Sequence, residues 1–417
     1  MIPEERRRLF VAVTVGHFGI DVFNSMGPVV VTFLVQPLGL SAAQVGLAVG
    51  LHQLLAGATQ PAFGWLVDRV GSRLLGPLSV AWAIGLVALS VGWAERLGWA
   101  LFLPLFAAAA LGSGAFHPQG TLHAGRAVAG RESTTTSYFF LAGQLGLALG
   151  PLLAGLALDR FGAPGIAGMG AVALLVPVWM AQRMSGPRHE SPSAVSLFDQ
   201  QARRGAAAVL GHGRTDRGES SRRGAGGGRA VAILAAVFSM RAWLFIGTAS
   251  FLPLLFSGRG WSAAGQGLVV GAFWMGGALG GVLAGARADR GDRRLVVAST
   301  TLLGTAILPL LLMAQTPLPA LFAAVLAGAG LGAPHSILMV LAQEMLPLRR
   351  GLASGAALGF LFACGALASW GIGLLADRLP LEQVLLLGVA PGLLVGALVL
   401  LLPSRQAGLG RLAEEVS

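Results

Sequence analysis

The sequence predicts an all-α membrane protein of twelve transmembrane helices, arranged as two pseudo-symmetric six-helix bundles. Three observations predict it: the composition, the length of the apolar runs, and an internal repeat. Hydrophobic residues make up 55% of the chain and charged residues only 11%, whereas a soluble domain normally carries about 25% charged residues. Such a chain lacks the polar groups to cover a water-facing surface, so lipid is its solvent.

A membrane span needs roughly 20 apolar residues, because the hydrocarbon core is about 30 Å thick and each helical residue rises about 1.5 Å. Windows of that length fall at about 9–36, 42–64, 74–94, 98–122, 133–158, 165–184, 230–256, 262–286, 295–314, 317–343, 351–375 and 381–403. The runs are continuous rather than alternating, which excludes a transmembrane β-barrel. The 62 glycines suit close helix packing, which small residues permit where no hydrophobic exclusion drives association.

Topology follows from the charges. Arg6, Arg7 and Arg8 precede an apolar stretch too long for a signal-peptide core, so the first helix is expected to stay as an anchor. All 29 basic residues are Arg, and 24 fall at the two ends of the chain or after even-numbered spans. Arg96, Arg160, Arg259 and Arg378 lie in loops on the other side, and Arg241 lies within a span. Short loops rich in basic residues stay cytoplasmic, which places both termini inside an inner membrane. The net charge of +11 is therefore a topological signal, and no nucleic-acid partner is expected. The single cysteine, Cys364, excludes a disulfide framework and a multi-cysteine metal site. No metal or cofactor is expected.

The repeat is exact in places. Ser41-Ala42-Ala43 with Gly46-Leu47 recurs 221 residues on as Ser262-Ala263-Ala264 with Gly267-Leu268. Asp68-Arg69 recurs after 221 residues as Asp289-Arg290, and Asp159-Arg160 after 218 as Asp377-Arg378. His117-Pro118 is echoed by Pro334-His335. Six spans per copy give a parallel repeat about an axis along the membrane normal, a pattern of transporters. The expected divisions are 1–184, a disordered cytoplasmic linker at 185–229 rich in Gly, Arg and Ser, 230–403, and a cytoplasmic tail at 404–417.

Between spans two and three, Asp68, Arg69 and Arg73 surround Gly71. A carboxylate at a helix C-terminus opposes the helix dipole unless a cation partners it, which suggests a conformational latch; the alternative is an ordinary solvated loop. The second copy keeps Asp289 and Arg290 but has Arg287 and Asp292 where the first has Leu66 and Gly71. Glu344 is expected to partner Arg349 or Arg350. In span five, Gly146, Gly150 and Gly155 with Pro151 form a smooth, bent face, with ordinary close packing as the alternative. Gly355 and Gly359 are the expected counterpart in span eleven.

Ionisable groups inside spans are expensive and mark function by default. They are His17 and Asp21 in span one, His52 in two, His117 in four, Arg241 in seven and His335 in ten. His17 and Asp21 are four apart and share a helix face; such a pair can exchange a proton. Asp21, His17 and His117 are the candidate proton-coupling residues. Arg241 keeps its charge and offers a fork for a carboxylate, phosphate or phosphonate; the alternative is an ion pair with Asp21. Asn24, Gln53, Gln119, Gln144 and His335 complete the candidate substrate-binding set.

The Gly64–Arg73 loop and its second copy resemble the signature loops of the major facilitator superfamily. The resemblance implies that spans one, four, seven and ten line a central cavity. It also implies that the span-five motif is the one found in antiporters. His17, Asp21 and Asn24, the run Gly112 to Pro118, and Ala342 to Pro347 resemble the fosmidomycin resistance protein family within it. Gly351 to Gly359 and the corner Ala376-Asp377 add to this. That resemblance implies proton-driven efflux of a drug or small anionic metabolite, powered by the proton gradient. One departure is Gln119, where relatives commonly carry Glu. The expected partners are a small-molecule substrate and membrane lipids, and a monomer is expected. Metabolite uptake, lipid or lysolipid translocation, and a non-transporting membrane sensor are the alternatives. No catalytic set, phosphate-binding loop or metal-ligand spacing points to an enzyme.

Overall fold

A computed structural model describes residues 4–70, 74–125, 127–128, 132–184, 228–346 and 350–403; the side chains of 4–5, 67–70, 132–133 and 350–355 lie outside the description. The expected linker, apart from 228–229, and the tail at 404–417 also lie outside it. The described residues are helical, with no strand among them. In chain order the membrane-length helices are α1 (Arg6–Phe33), α2 (Ala42–Ala58, resumed as Gln60–Val70), α3 (Leu75–Gly92), α4 (Ala94–Gly125), α5 (Thr134–Phe161), α6 (Ala163–Met184), α7 (Gly228–Ser257), α8 (Ala263–Arg290), α9 (Arg293–Met313), α10 (Pro317–Met345), α11 (Ala356–Ala376) and α12 (Leu381–Leu401).

Eleven of these are long and apolar enough to cross a membrane. The exception is α2, whose two pieces meet at Thr59. Pro61 has no N–H to continue the ladder. The carbonyls near the break are taken by side chains instead: Thr59 Oγ1 donates to Leu55 O at 2.6 Å and Gln60 Nε2 to Ala56 O at 3.3 Å. At the other boundary in question, Gly228 and Arg229 already belong to α7, so helix begins before the expected end of the linker.

The short corners follow the repeat. Gly39 and Gly260 both have positive φ, at 62° and 78°, a conformation glycine adopts without steric penalty. Each turns the chain into a serine N-cap. Ser41 Oγ accepts from Gln44 N at 3.3 Å, and Ser262 Oγ accepts from Gly265 N at 3.2 Å. A capping hydroxyl satisfies one of the four N–H groups orphaned at a helix start.

Packing sorts each helix into a lipid face and a protein face. On α5, Leu141, Leu145, Leu149, Leu153 and Leu156 are exposed, while Gly143, Gly146, Gly150 and Ala154 are buried. A Cβ on Gly146 would meet the Phe18 carbonyl of α1, and one on Gly150 the Val22 carbonyl. The glycine face of span five thus seats α1. Gly155 instead abuts Ala263 of α8. The expected counterpart in α11 differs: a Cβ on Gly359 would meet nothing within 4 Å, and Gly355 lies outside the described side chains. The close approaches on α11 come from Gly365 and Gly373.

Candidate functional site

Three helices of the first six build one buried cluster. His17 Nε2 lies 3.2 Å from Asp21 Oδ2, as one helical turn of α1 dictates. Across the interface, His117 Nε2 of α4 lies 3.6 Å from Asp21 Oδ1. Side-chain exposure is 3% for His17, 7% for Asp21 and 21% for His117, so His117 is the more open member. Asn24 Nδ2 donates to Asp21 Oδ1 at 3.2 Å and to Ser113 Oγ at 2.6 Å. The third wall is α5: His17 stacks on Phe139 with centroids 4.0 Å apart, and any side chain at Gly143 would strike His17 and Asp21.

The hydrogen-bond geometry fixes where protons sit. His17 Nδ1 is 2.7 Å from Phe139 O, and His117 Nδ1 is 2.8 Å from Ser113 O. A carbonyl only accepts, so both Nδ1 atoms carry hydrogen. Both Nε2 atoms then face the Asp21 carboxylate. Without a proton or another cation between them, lone pairs would confront lone pairs. His17, Asp21 and His117 each offer a ligand atom within 4.8 Å of the others, which is also a donor set for a divalent cation.

The second six helices hold a different group at corresponding positions. Arg241 of α7 is 3% exposed. Its Nη2 donates to Gly332 O at 3.2 Å, its guanidinium lies over Phe245 at 5.4 Å, and its Nε has no partner. No carboxylate among the described residues pairs with it. The alternative ion pair with Asp21 is therefore not formed: Asp21 is held by the two histidines. Local irregularity builds this site. Trp243–Gly247 forms a π-helical turn just past Arg241, a feature that clusters at functional sites. Helix α10 breaks at Ala333 before Pro334. His335, just after the break, is exposed and within electrostatic range of Arg241.

Several predicted residues stand elsewhere. Gln119 is fully buried and lies against Gly76 of α3. Two residues past His117 means a rotation of about 200° around a helix, which turns it from the Asp21 cluster. Gln119 therefore packs between α4 and α3 rather than beside Asp21. Gln53 is half-buried and Gln144 exposed, and neither is hydrogen-bonded among the described residues. His52 of α2 bonds the Phe106 carbonyl at 2.9 Å and stacks on that ring.

The latch residues are described in part. Glu344 is bridged by Arg293, with Nη1 2.8 and 2.9 Å from its two carboxylate oxygens; its expected partners, Arg349 and the side chain of Arg350, lie outside the described residues. Both groups belong to the second six helices, so this contact joins α9 to α10 and does not cross between the sets. Asp289 and Arg290 are exposed and pair with no described residue. Asp292 caps α9, accepting from Arg294 N at 2.9 Å, and its carboxylate pairs with the Arg294 guanidinium at 2.7 Å. Arg73 and the side chains of Asp68 and Arg69 lie outside the described residues.

Ser113, Phe139 and Phe245 complete the two clusters unannounced by sequence, although Ser113 lies one helical turn from His117. The fold, with ionisable groups buried mid-helix in both sets of six, defines an integral multi-pass membrane protein. The chain belongs to the Major Facilitator Superfamily, whose profile matches residues 9–369 and 231–416, and this family match makes it a transporter rather than an enzyme. It is 27% identical to the fosmidomycin resistance protein of Escherichia coli (strain K12) over 382 residues, covering 89% of this chain and 87% of that protein. It is 25% identical over 417 residues to the uncharacterized MFS-type transporter YfnC of Bacillus subtilis (strain 168), covering 95% and 93%. Among solved structures it resembles a bacterial homologue of the human lysosomal transporter Spinster in an inward-facing and occupied conformation. The TM-score is 0.72 at 14% identity, over 96% of this chain and 97% of the other. A D-xylose-proton symporter gives 0.66 at 17% identity, over 94% and 96%. At these identities the structural likeness defines the fold alone.

Proposed function

We propose that the protein is a proton-coupled antiporter that exports a small anion by alternating access. It sits in the inner membrane with both termini cytoplasmic, as the arginine distribution requires. The observation that carries the coupling is the Asp21 cluster. Two imidazoles, each with its Nδ1 hydrogen committed to a carbonyl, converge on one buried carboxylate. That arrangement is satisfied when a proton is shared and strained when it is not, which gives the site two states of different charge. Asn24 holds the carboxylate in both.

The anion is assigned to Arg241. Its buried guanidinium lacks a carboxylate among the described residues and has an unpartnered Nε, so a ligand carboxylate, phosphate or phosphonate would complete its hydrogen bonding. The fosmidomycin resistance protein among the relatives supports export of an anionic drug or metabolite. Because Gln119 faces α3, the absence of an acid at that position leaves the Asp21 cluster intact.

Reconstitution tests this. In proteoliposomes, a pH gradient is expected to drive accumulation of an anionic substrate, and Asp21→Asn is expected to abolish that drive while the protein still folds. Undiminished gradient-driven transport by Asp21→Asn would remove Asp21 from the coupling mechanism.

A further inference from the structure

We propose that Asp159 and Asp377 are the gate that closes the end of the transporter opposite the chain termini. The two carboxylates lie at the C-terminal ends of α5 and α11, and each reaches across to the other set of six helices. Asp377 Oδ1 accepts from Ala42 N at 2.7 Å, and both its oxygens lie within reach of Ala43 N, at 3.4 and 3.3 Å. Asp159 does the same on the opposite side, with Oδ1 2.8 Å from Ala263 N and Oδ2 2.9 Å from Ala264 N. Ala42 begins α2 and Ala263 begins α8. The contacts are related by the same internal repeat that relates the residues.

Each carboxylate therefore completes a cap that its recipient helix cannot complete alone. Ser41 and Ser262 satisfy the third N–H of their helices, and the first two N–H groups of each are left to a carboxylate from the other set. A negative charge at a helix N-terminus is favoured by the dipole, and one at a C-terminus is disfavoured. Asp159 and Asp377 are poorly placed for their own helices and well placed for the partner's. Their position is favourable only while the two sets are docked, so their energy reports on conformation rather than on folding of either helix.

The glycine contacts carry the closure inward from these caps. Gly373 meets the Ala42 carbonyl, Gly46 that of Ser369, and Gly50 that of Ala366, along the α2–α11 seam; Gly155, Gly267 and Gly271 seat α5 against α8 in the same way. Opening that end separates both seams and breaks both caps together. Both aspartates are exposed, so water can take over their hydrogen bonds, and the gate biases the equilibrium without locking it. This gate acts outside the Asp21 cluster and does not rest on proton coupling.

The test is a distance measurement on the full-length protein in detergent or nanodiscs, without substrate or gradient. Spin labels at Glu95→Cys and Gln315→Cys, in a Cys364→Ser background, place one exposed reporter on each set at the closing end. Pulsed dipolar spectroscopy is expected to show a short-distance population for the unaltered gate. Asp159→Ala/Asp377→Ala is expected to raise the ratio of long to short distances at least tenfold. Asp159→Asn/Asp377→Asn keeps acceptors but removes the charges and is expected to fall between. A purely structural role would lower the melting temperature without moving the ratio. An unchanged distribution in the folded Asn pair and the folded Ala pair would overturn the proposal; if the Ala pair does not fold, the Asn pair decides it.

Discussion

At the scale of the residue, the proposed function rests on two buried groups of opposite sign with different kinds of partner. Asp21 is enclosed by His17, His117 and Asn24, whereas Arg241 has a carbonyl, a ring and an unpartnered Nε. Arg241→Ala is expected to weaken binding of an anionic substrate roughly ten- to hundredfold, since a hydrogen bond to a charged group contributes about 1.5–3 kcal/mol. Arg241→Lys should recover only part of this, because a point charge cannot make a forked contact. Ligand-induced thermal stabilisation measures both, and equal binding by all three proteins would remove the anion from this position. Intramembrane charge made Asp21, His17, His117 and Arg241 legible in the sequence, and the four-residue spacing paired the first two. The position of Gln119 was not legible, because proximity in sequence to His117 says nothing of the face it occupies; its rotation toward Gly76 decides that. Phe139 left no sequence signal, since its contact with His17 spans 122 residues.

At the scale of the element, the spans themselves were legible because apolar length is a direct consequence of bilayer thickness. Their interruptions were less so. The break of α2 at Thr59 and the π-helical turn at Trp243–Gly247 depend on which carbonyls find substitute partners, and composition does not encode that. The seat of α1 on α5 permits a sharp prediction. Gly150→Val should force the two helices apart, because its Cβ would meet the Val22 carbonyl and Ser25. Overpacking of this kind costs about 1–3 kcal/mol. The melting temperature should fall, and gradient-driven transport should fall further, because α1 carries Asp21. A second prediction concerns the α8–α9 corner. The Arg294 guanidinium beside Asp292 holds its carboxyl below the ordinary carboxylate range. The stabilisation from this pair is therefore present at neutral pH and is lost as pH falls through the carboxyl's folded value. Asp292→Ala should cost about 0.5–2 kcal/mol through the lost cap, with the ionic part small because both side chains are partly open to solvent, which screens the pair. Melting curves at neutral and acid pH should converge between Asp292→Ala and the parent protein as the pH drops.

At the scale of the whole molecule, the repeat joins these parts into one device. The 221-residue offset was visible in the sequence and predicted corresponding corners, which the positive-φ Gly39 and Gly260 and the two serine caps display. What the repeat could not disclose is that Asp159 and Asp377 cross between the sets, since a repeat relates positions and not partners. The proposed alternating access would then draw its two requirements from one molecule: the Asp21 cluster within α1, α4 and α5, and the proposed closure between α2 and α11 and between α5 and α8. The measurement that tests this account most directly records substrate flux and internal pH together in proteoliposomes under an imposed substrate gradient. Protons are expected to move against the anion in the parent protein, and Asp21→Asn is expected to lose the proton movement. Protons travelling with the anion, or proton movement unaltered by Asp21→Asn, would contradict it.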